Sequence, residues 1–232
     1  MSDITVQKQK IKRNTVKTSL AIFGTLALAL IVCSFFSEYL TPYDPYLQDL
    51  SIAKQPPSAQ HLLGTDRYGR DMLSRVIAGS RASIYSTLLL VAVITVLGAG
   101  VGVTCGWCGG WLDSLLMRIS DVFLAFPGLV FALAVAGALG GGLQNAIIAL
   151  AAISWPKYAR IARSQTLAQK GTMWMKAVRL SGSSTPKIIC KHILPNILGP
   201  ILVTAMLDIG TMMMELAALS FLGLGAKPPI PE

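Results

Sequence analysis

Charged residues are scarce in this chain and absent from two long stretches. Only 13% of the 232 residues are Asp, Glu, Lys or Arg, whereas soluble domains carry about a quarter. Residues 82–112 and 122–156 contain none of these four residue types. A helix needs about 20 apolar residues to cross the hydrocarbon core of a bilayer. The pattern excludes a soluble globular domain and predicts an all-α, polytopic membrane helix bundle.

Histidine and cysteine are also few, which argues against a built metal or redox centre. The chain has two histidines and four cysteines. Cys105 and Cys108 have the CxxC spacing but lack a second ligand pair and a βαβ context, so we interpret them as ordinary helix residues. His61 and His192 fall at opposite sides of the predicted membrane. A membrane-embedded enzyme would need such side chains to converge, and no metal site can be fixed from this pattern.

The basic residues that are present predict the orientation of the chain. Five of the 20 Lys and Arg residues precede the first apolar stretch, and the window 157–191 contains eight more without one acid. Basic residues gather on the cytoplasmic side of membrane proteins. We therefore expect a cytoplasmic N-terminus, an even number of crossings before the second basic window, and no nucleic-acid partner despite the net charge of +9.

This orientation predicts four regions and five spans. The regions are a basic cytoplasmic N-terminus (1–18), a first transmembrane helix (19–37), an external loop (38–81) and a core domain (82–232) with a cytoplasmic loop at 164–192. The spans are 19–36, about 82–106, 119–139, 145–163 and about 194–214. Pro127 is expected to kink the third span.

The external loop contains a dense polar motif. Its members are Gly64, Thr65, Asp66, Gly69, Arg70 and Asp71. Acids beside arginines usually pair, so we expect hydrogen-bonded turns and a cap on the following helix. The alternative is a catalytic or metal cluster.

The cytoplasmic loop contains a short amphipathic pattern. Met173, Ala177 and Leu180 recur at helical spacing beside Lys176, and Gly182 suits the end of a helix. One interpretation is a helix that rests on anionic lipid, and the other is a helix that docks on a soluble partner.

The fifth predicted span contains two acids. Asp208 and Glu215 are seven residues apart and therefore share one helix face, with Met212 between them. Ionisable residues inside a membrane are costly, so these three are candidates for a substrate pathway. Packing is the alternative for the methionine, because Met commonly fills gaps in cores.

Three motifs give the chain a family resemblance. Lys176 to Gly182, followed by 188–196, resembles the cytoplasmic EAA loop of ABC importer permeases, with Lys176 in place of the usual glutamate. Residues 64–71 and 219–225 resemble the peptide/nickel permease family, in particular its C-type subunit. The resemblance implies the type I permease fold, of which five spans would be present and a sixth apparently missing.

The resemblance also implies partners and a mechanism. A second, different permease subunit would complete the pore, and two ATP-binding cassette subunits would grip the helix carrying Lys176, Ala177, Leu180 and Gly182. A substrate-binding protein outside the bacterial inner membrane would deliver cargo. The chain has no Gly-x4-Gly-Lys-Ser/Thr loop. ATP and Mg are therefore expected on the partners, and this chain is expected to bind no cofactor and to be no enzyme.

The cargo prediction rests on the fifth span. Residues 207–213 look more like the nickel members, so we predict nickel or another chelated transition metal. Import of di- or oligopeptides is the alternative. A secondary transporter is disfavoured because the sequence shows no internal repeat.

Overall fold

A computed structural model describes the backbone from Ser2 to Glu232 and the side chains from Lys17 onward. The side chains of residues 1–16, which make up most of the predicted basic N-terminus, therefore lie outside the described residues. Helices dominate the described chain, and the one recorded β-type contact is an isolated bridge between Thr65 and Asp71. The chain divides into two compact units, residues 1–84 with 229–232, and residues 85–228.

Nine α-helices follow one another along the described chain. The first four are α1 (Ser2–Phe35), α2 (Ser37–Leu40), α3 (Met72–Cys108) and α4 (Gly110–Ala125). The others are α5 (Gly128–Ala138), α6 (Leu143–Lys170), α7 (Met173–Leu180), α8 (Thr185–Ile188) and α9 (Leu194–Phe221). A 3-10 turn at Leu50–Ile52 and a π-helical turn at Ile189–Ile193 complete the elements. The all-α class predicted from the sequence is confirmed.

In the first unit, α1 presents apolar side chains to its surroundings along its C-terminal half. Leu20 is 72% exposed and Phe23 is 69% exposed. An apolar helix that is not covered by its own chain is typical of a membrane span. The segment from Thr41 to Asp71 is irregular apart from the 3-10 turn and leads into α3.

The second unit is built around α6, which packs against α4, α5, α7 and α9. The α3 helix reaches α6 through glycines spaced four residues apart. A Cβ atom at Gly98 would lie 2.5 Å from the Trp155 carbonyl oxygen, and one at Gly106 would lie 2.8 Å from Thr166 Cβ. At Gly102 it would overlap the carbonyl oxygen of Ala159. Small residues at this spacing let two membrane helices approach closely.

The predicted third span (119–139) is not one kinked helix. The helices α4 and α5 are separate and meet at an angle of 93°. The break follows from Pro127, which has no N–H to donate and pushes the preceding residue out of the helical region. Phe126 is accordingly extended, with ψ at 146°.

Several predicted boundaries also move. The α3 helix begins at Met72, so residues 72–81 of the predicted loop are helical, and α6 continues to Lys170, seven residues beyond Arg163. In the part of the chain that the structure describes, three stretches can cross a membrane by length and composition: Lys17–Phe35, Met72–Cys108 and Thr185–Phe221. The bent α4–α5 pair is a further span if it acts as one. The span predicted at 145–163 lies in α6, whose apolar run is interrupted by basic residues, and it stays a prediction.

Candidate functional site

The predicted apolar face of the short helix α7 is not covered by its own chain. Met173 is 79% exposed and Leu180 is 89% exposed, and Ala177 is exposed between them. The residue that anchors the helix is Met175, which is fully buried. The sequence correctly identified the amphipathic helix. It did not reveal that Met175 would be the residue that buries the helix against its own chain.

The end of α7 requires a glycine. Gly182 has a φ of +76°, which L side chains rarely adopt, and its N–H donates to the Arg179 carbonyl at 3.1 Å. Space is not the constraint, because no described residue beyond its chain neighbours comes within 4 Å of a Cβ built there. Lys176, at the glutamate position of the EAA pattern, is exposed.

The Gly64–Asp71 motif folds on itself. Asp66 Oδ1 accepts from the backbone N–H groups of Tyr68 at 2.8 Å and Arg70 at 3.0 Å, and its Oδ2 accepts from Arg70 Nε at 2.7 Å. Burial raises the pKa of Asp66, but the bonds from Arg70 and Tyr68 outweigh it and hold the pKa below its ordinary value. The carboxylate is therefore committed to a turn.

Asp71 caps the start of α3. Its Oδ2 accepts from the backbone N–H of Ser74 at 2.8 Å and from the Ser74 hydroxyl at 2.7 Å, and its Oδ1 lies 3.0 Å from His61 Nδ1. Burial raises the pKa of Asp71, and the bonds from Ser74 and His61 lower it to below its ordinary value. The predicted turns and helix cap are confirmed.

The remaining motif residues pack the backbone tightly. The Thr65 hydroxyl donates to the Ile52 carbonyl and accepts from the Gln55 N–H at 2.9 Å. Gly64 and Gly69 have φ values of +75° and +73°. A Cβ at Gly69 would overlap the carbonyl oxygen of Asp49. The motif is a folded unit without an unengaged carboxylate.

The candidate pathway residues on α9 are placed between helices. Asp208 is 5% exposed; its Oδ1 accepts from Lys157 Nζ at 2.7 Å and its Oδ2 accepts from the Tyr158 hydroxyl at 2.9 Å. Met212 is 6% exposed and its sulfur lies 3.9 Å from the Ser154 hydroxyl. Glu215 is half-buried. The first two side chains join α9 to α6.

Sequence reasoning missed the partners of the basic residues on α6. Lys157 pairs with Asp208, Arg160 pairs with Asp121, and Arg163 holds Asp113 through two bonds of 2.5 and 2.6 Å. Such two-pronged contacts are among the stronger ion pairs. The sequence signal for these pairs is the regular three-residue spacing of the basic residues, which places them along one side of a single helix.

Metal ligands do not converge in the described residues. In that part of the chain no group of three or more His, Cys, Asp or Glu side chains is placed to hold a metal ion. Cys105 is buried and Cys108 is exposed on the same helix, and both are free thiols.

Comparison with known proteins identifies the family of this chain. Residues 94–232 match the family described as the binding-protein-dependent transport system inner membrane component. The chain belongs to this family.

Three curated relatives narrow the family further. The glutathione transport permease GsiD of Pectobacterium atrosepticum is 39% identical over 211 residues, which cover 90% of this chain and 70% of the relative. The dipeptide permease DppC of Alkalihalophilus pseudofirmus is 39% identical over 217 residues (93% and 71%). The probable D,D-dipeptide permease DdpC of Escherichia coli is 40% identical over 209 residues (90% and 70%). The predicted membership in the peptide/nickel permease family is confirmed.

A solved structure supports the fold. The methionine ABC transporter MetNI, crystallised in inward-facing conformations, aligns with a TM-score of 0.52 and 23% identity over 67% of this chain and 77% of that chain. The family match and the curated relatives show that the protein is a membrane-embedded permease subunit of an ABC importer and not an enzyme. An importer of this kind draws its energy from ATPase partners.

Proposed function

We propose that this chain forms one half of the translocation pathway for short peptides or peptide-like molecules. The relatives that are about two-fifths identical over most of the chain are permeases for dipeptides, D,D-dipeptides and glutathione. Glutathione is itself a small peptide-like solute, so the three printed cargoes share one chemical class. This supports the alternative cargo prediction over nickel.

The geometry of α9 gives nickel little support. Both oxygens of Asp208 are engaged by Lys157 and Tyr158, and Met212 is packed beside Ser154. A carboxylate that is already neutralised by an ammonium group is a weak ligand for a passing cation. Nickel transport stays a prediction from the sequence.

The observation that carries the coupling mechanism is the uncovered face of α7. A helix of eight residues is too short to be stable in isolation, and here Met175 alone is fully buried while Met173 and Leu180 are left outside. An apolar helix face laid into a groove is a recurrent mode of recognition. The ATPase subunit is the partner proposed for this face, and movement of that subunit would be transmitted through α7 to α6 and α9.

The rest of the assembly follows the same proposal. A second, different permease subunit completes the pathway, two ATPase subunits bind ATP and Mg, and an extracytoplasmic binding protein delivers the peptide. The N-terminus and α7 lie on the cytoplasmic side, as the distribution of Lys and Arg predicts. The exposed apolar side chains of α9, such as Leu207 at 73% and Met206 at 69%, are available to lipid or to the second subunit.

The cargo is tested by uptake into vesicles that contain the complete transporter. A labelled dipeptide and a labelled nickel chelate are offered separately, with and without ATP, and each is competed with the other. Saturable, ATP-dependent dipeptide uptake that nickel does not inhibit is expected. Nickel uptake that the dipeptide leaves unchanged would reverse the cargo assignment and leave the permease architecture intact.

The docking face is tested by one charge substitution. Leu180→Glu is expected to lower co-purification of the ATPase subunit and ATP-dependent uptake by about tenfold or more, because a carboxylate would be desolvated in an apolar groove. The thermal midpoint of the permease should not change, since Leu180 contacts little of its own chain. Leu62→Glu, at a leucine that is 62% exposed in the other unit, is the matched control and should retain the ATPase. Equal loss in both variants, or in neither, contradicts docking at α7.

A further inference from the structure

A polar cavity lies beside the C-terminal end of α7, where Arg179 lines it. It has a volume of about 360 Å³ and is lined by Trp107, Lys170, Arg179, Ser183, Thr185 and Ile188. That volume is near the lower end of the range for small-molecule pockets. The cavity is distinct from the substrate-pathway candidates on α9 and from the docking face.

Two cations converge on one indole ring in this cavity. Lys170 Nζ lies 5.7 Å from the centre of the Trp107 ring and donates to the Trp107 carbonyl at 2.5 Å. The Arg179 guanidinium lies 4.6 Å from the centre of the same ring. Each cation gains from the face of the ring. Their mutual repulsion is not cancelled there, because none of the described residues that line the cavity carries a carboxylate.

The two cations of this cavity differ from the paired basic residues in the middle of α6. Lys157, Arg160 and Arg163 on α6 each have an acid as partner. Among the described residues, the ion pairs do not include Lys170 or Arg179, although both are held in place by Trp107. Preorganised cations without a protein anion are what an external anion requires.

The chemistry and position of the cavity favour a phosphate group. The guanidinium and the ammonium can share a phosphate, and the lining adds the hydroxyls of Ser183 and Thr185 as donors. Trp107 is the second-to-last residue of α3, and α3 is long and apolar enough to span the membrane. Tryptophan at such a helix end lies at headgroup depth, where anionic lipids present phosphates.

We propose that Lys170, Arg179 and Trp107 form a binding site for a phosphate group, carried by an anionic lipid headgroup or by free phosphate. A bound phosphate would link the ends of α3 and α6 to α7 and so stiffen the helix that docks on the ATPase. The site does not depend on the identity of the cargo.

The test uses the assembled transporter in nanodiscs with and without phosphatidylglycerol, with retained lipids counted by native mass spectrometry. Lys170→Gln combined with Arg179→Gln is expected to reduce the retained phosphatidylglycerol by about tenfold. The charge-matched control is Lys187→Gln with Lys191→Gln, two exposed positions outside the cavity lining. It should retain the lipid. A second arm measures binding of inorganic phosphate to the same variants in phosphatidylcholine alone.

Each outcome decides the proposal. Loss of phosphatidylglycerol in the cavity variant alone supports a lipid headgroup, and loss of inorganic phosphate alone supports free phosphate. No loss in either arm, or equal loss in the control, overturns the site. Arg179→Gln alone removes a cation without breaking the Lys170 bond to the Trp107 backbone, and the exchange Lys170→Arg with Arg179→Lys keeps both charges. The first should lose binding and the second should retain it, so misfolding cannot produce the expected pattern.

Discussion

The Gly64–Asp71 motif and the α7 helix are both dense motifs, and they use their side chains in opposite ways. In the first, the carboxylates of Asp66 and Asp71 are engaged by neighbouring donors of the same segment. In the second, Met173 and Leu180 are 79% and 89% exposed. A motif whose side chains are satisfied internally maintains a fold, whereas one whose apolar side chains remain uncovered is available to a partner.

The difference extends to the backbone. The first motif contains Gly69, and Gly182 follows the end of α7; both glycines have φ above +70°. At Gly69 a Cβ would overlap a carbonyl oxygen of Asp49, while at Gly182 it would meet nothing within 4 Å. One glycine therefore serves close packing as well as conformation, and the other serves conformation alone.

This pair of glycines gives the largest expected effect. Gly182→Ala should cost roughly 1–2 kcal/mol, because alanine is strained in the left-handed region. Gly69→Ala should cost at least about 3 kcal/mol, because the same strain is joined by a backbone overlap that must be relieved. Thermal midpoints of the two variants in one detergent measure the difference. Equal midpoints would mean that the close approach of Asp49 contributes nothing.

A second pair sharpens the comparison in the second unit, at the close approach of α3 to α6. Gly102→Ala should destabilise the second unit by about 2 kcal/mol, because the added Cβ would overlap the Ala159 carbonyl and meet Ala162 on α6. Gly100→Ala is the matched control, since nothing lies within 4 Å of its Cβ. It should be neutral or slightly stabilising, because alanine is the better helix former. If the two variants melt together, the glycine spacing is not what holds α3 against α6.

Much of this architecture could be predicted from single stretches of sequence. Uncharged runs predicted the apolar helices, and the helical spacing of Met173, Ala177 and Leu180 predicted α7, because both signals are local. The polar bonds of Asp66 and Asp71 were predictable for the same reason, since their partners lie within a few residues.

The remaining features depend on contacts between distant segments. Asp113 and Arg163 are 50 residues apart in sequence, as are Tyr158 and Asp208. A window without acids around Arg163 therefore gave no hint that α4 and α9 supply them. The sequence predicts only a kink at Pro127, because proline allows either a kink or a separation of two helices and the neighbouring helices decide which. What covers the apolar face of α7 could not be predicted, because the same pattern suits an anionic lipid surface and a groove on a partner.

The smallest expected difference between the two motifs is in how their stability depends on pH. Hydrogen bonds hold the pKa of Asp66 and of Asp71 below the ordinary value of 3.8. Their stabilising contribution is therefore complete above about pH 4 and is lost as the pH falls through the lowered pKa values. Normalised protection of the Tyr68 and Ser74 amides, which donate to these carboxylates, should fall by up to about tenfold between roughly pH 5 and pH 3. The amides of Ser181 and Gly182 donate to backbone carbonyls instead and should keep their protection. A parallel loss at all four amides would indicate general acid unfolding. It would contradict the idea that the carboxylates of Asp66 and Asp71 hold the first motif, whereas α7 leaves its apolar face to a partner.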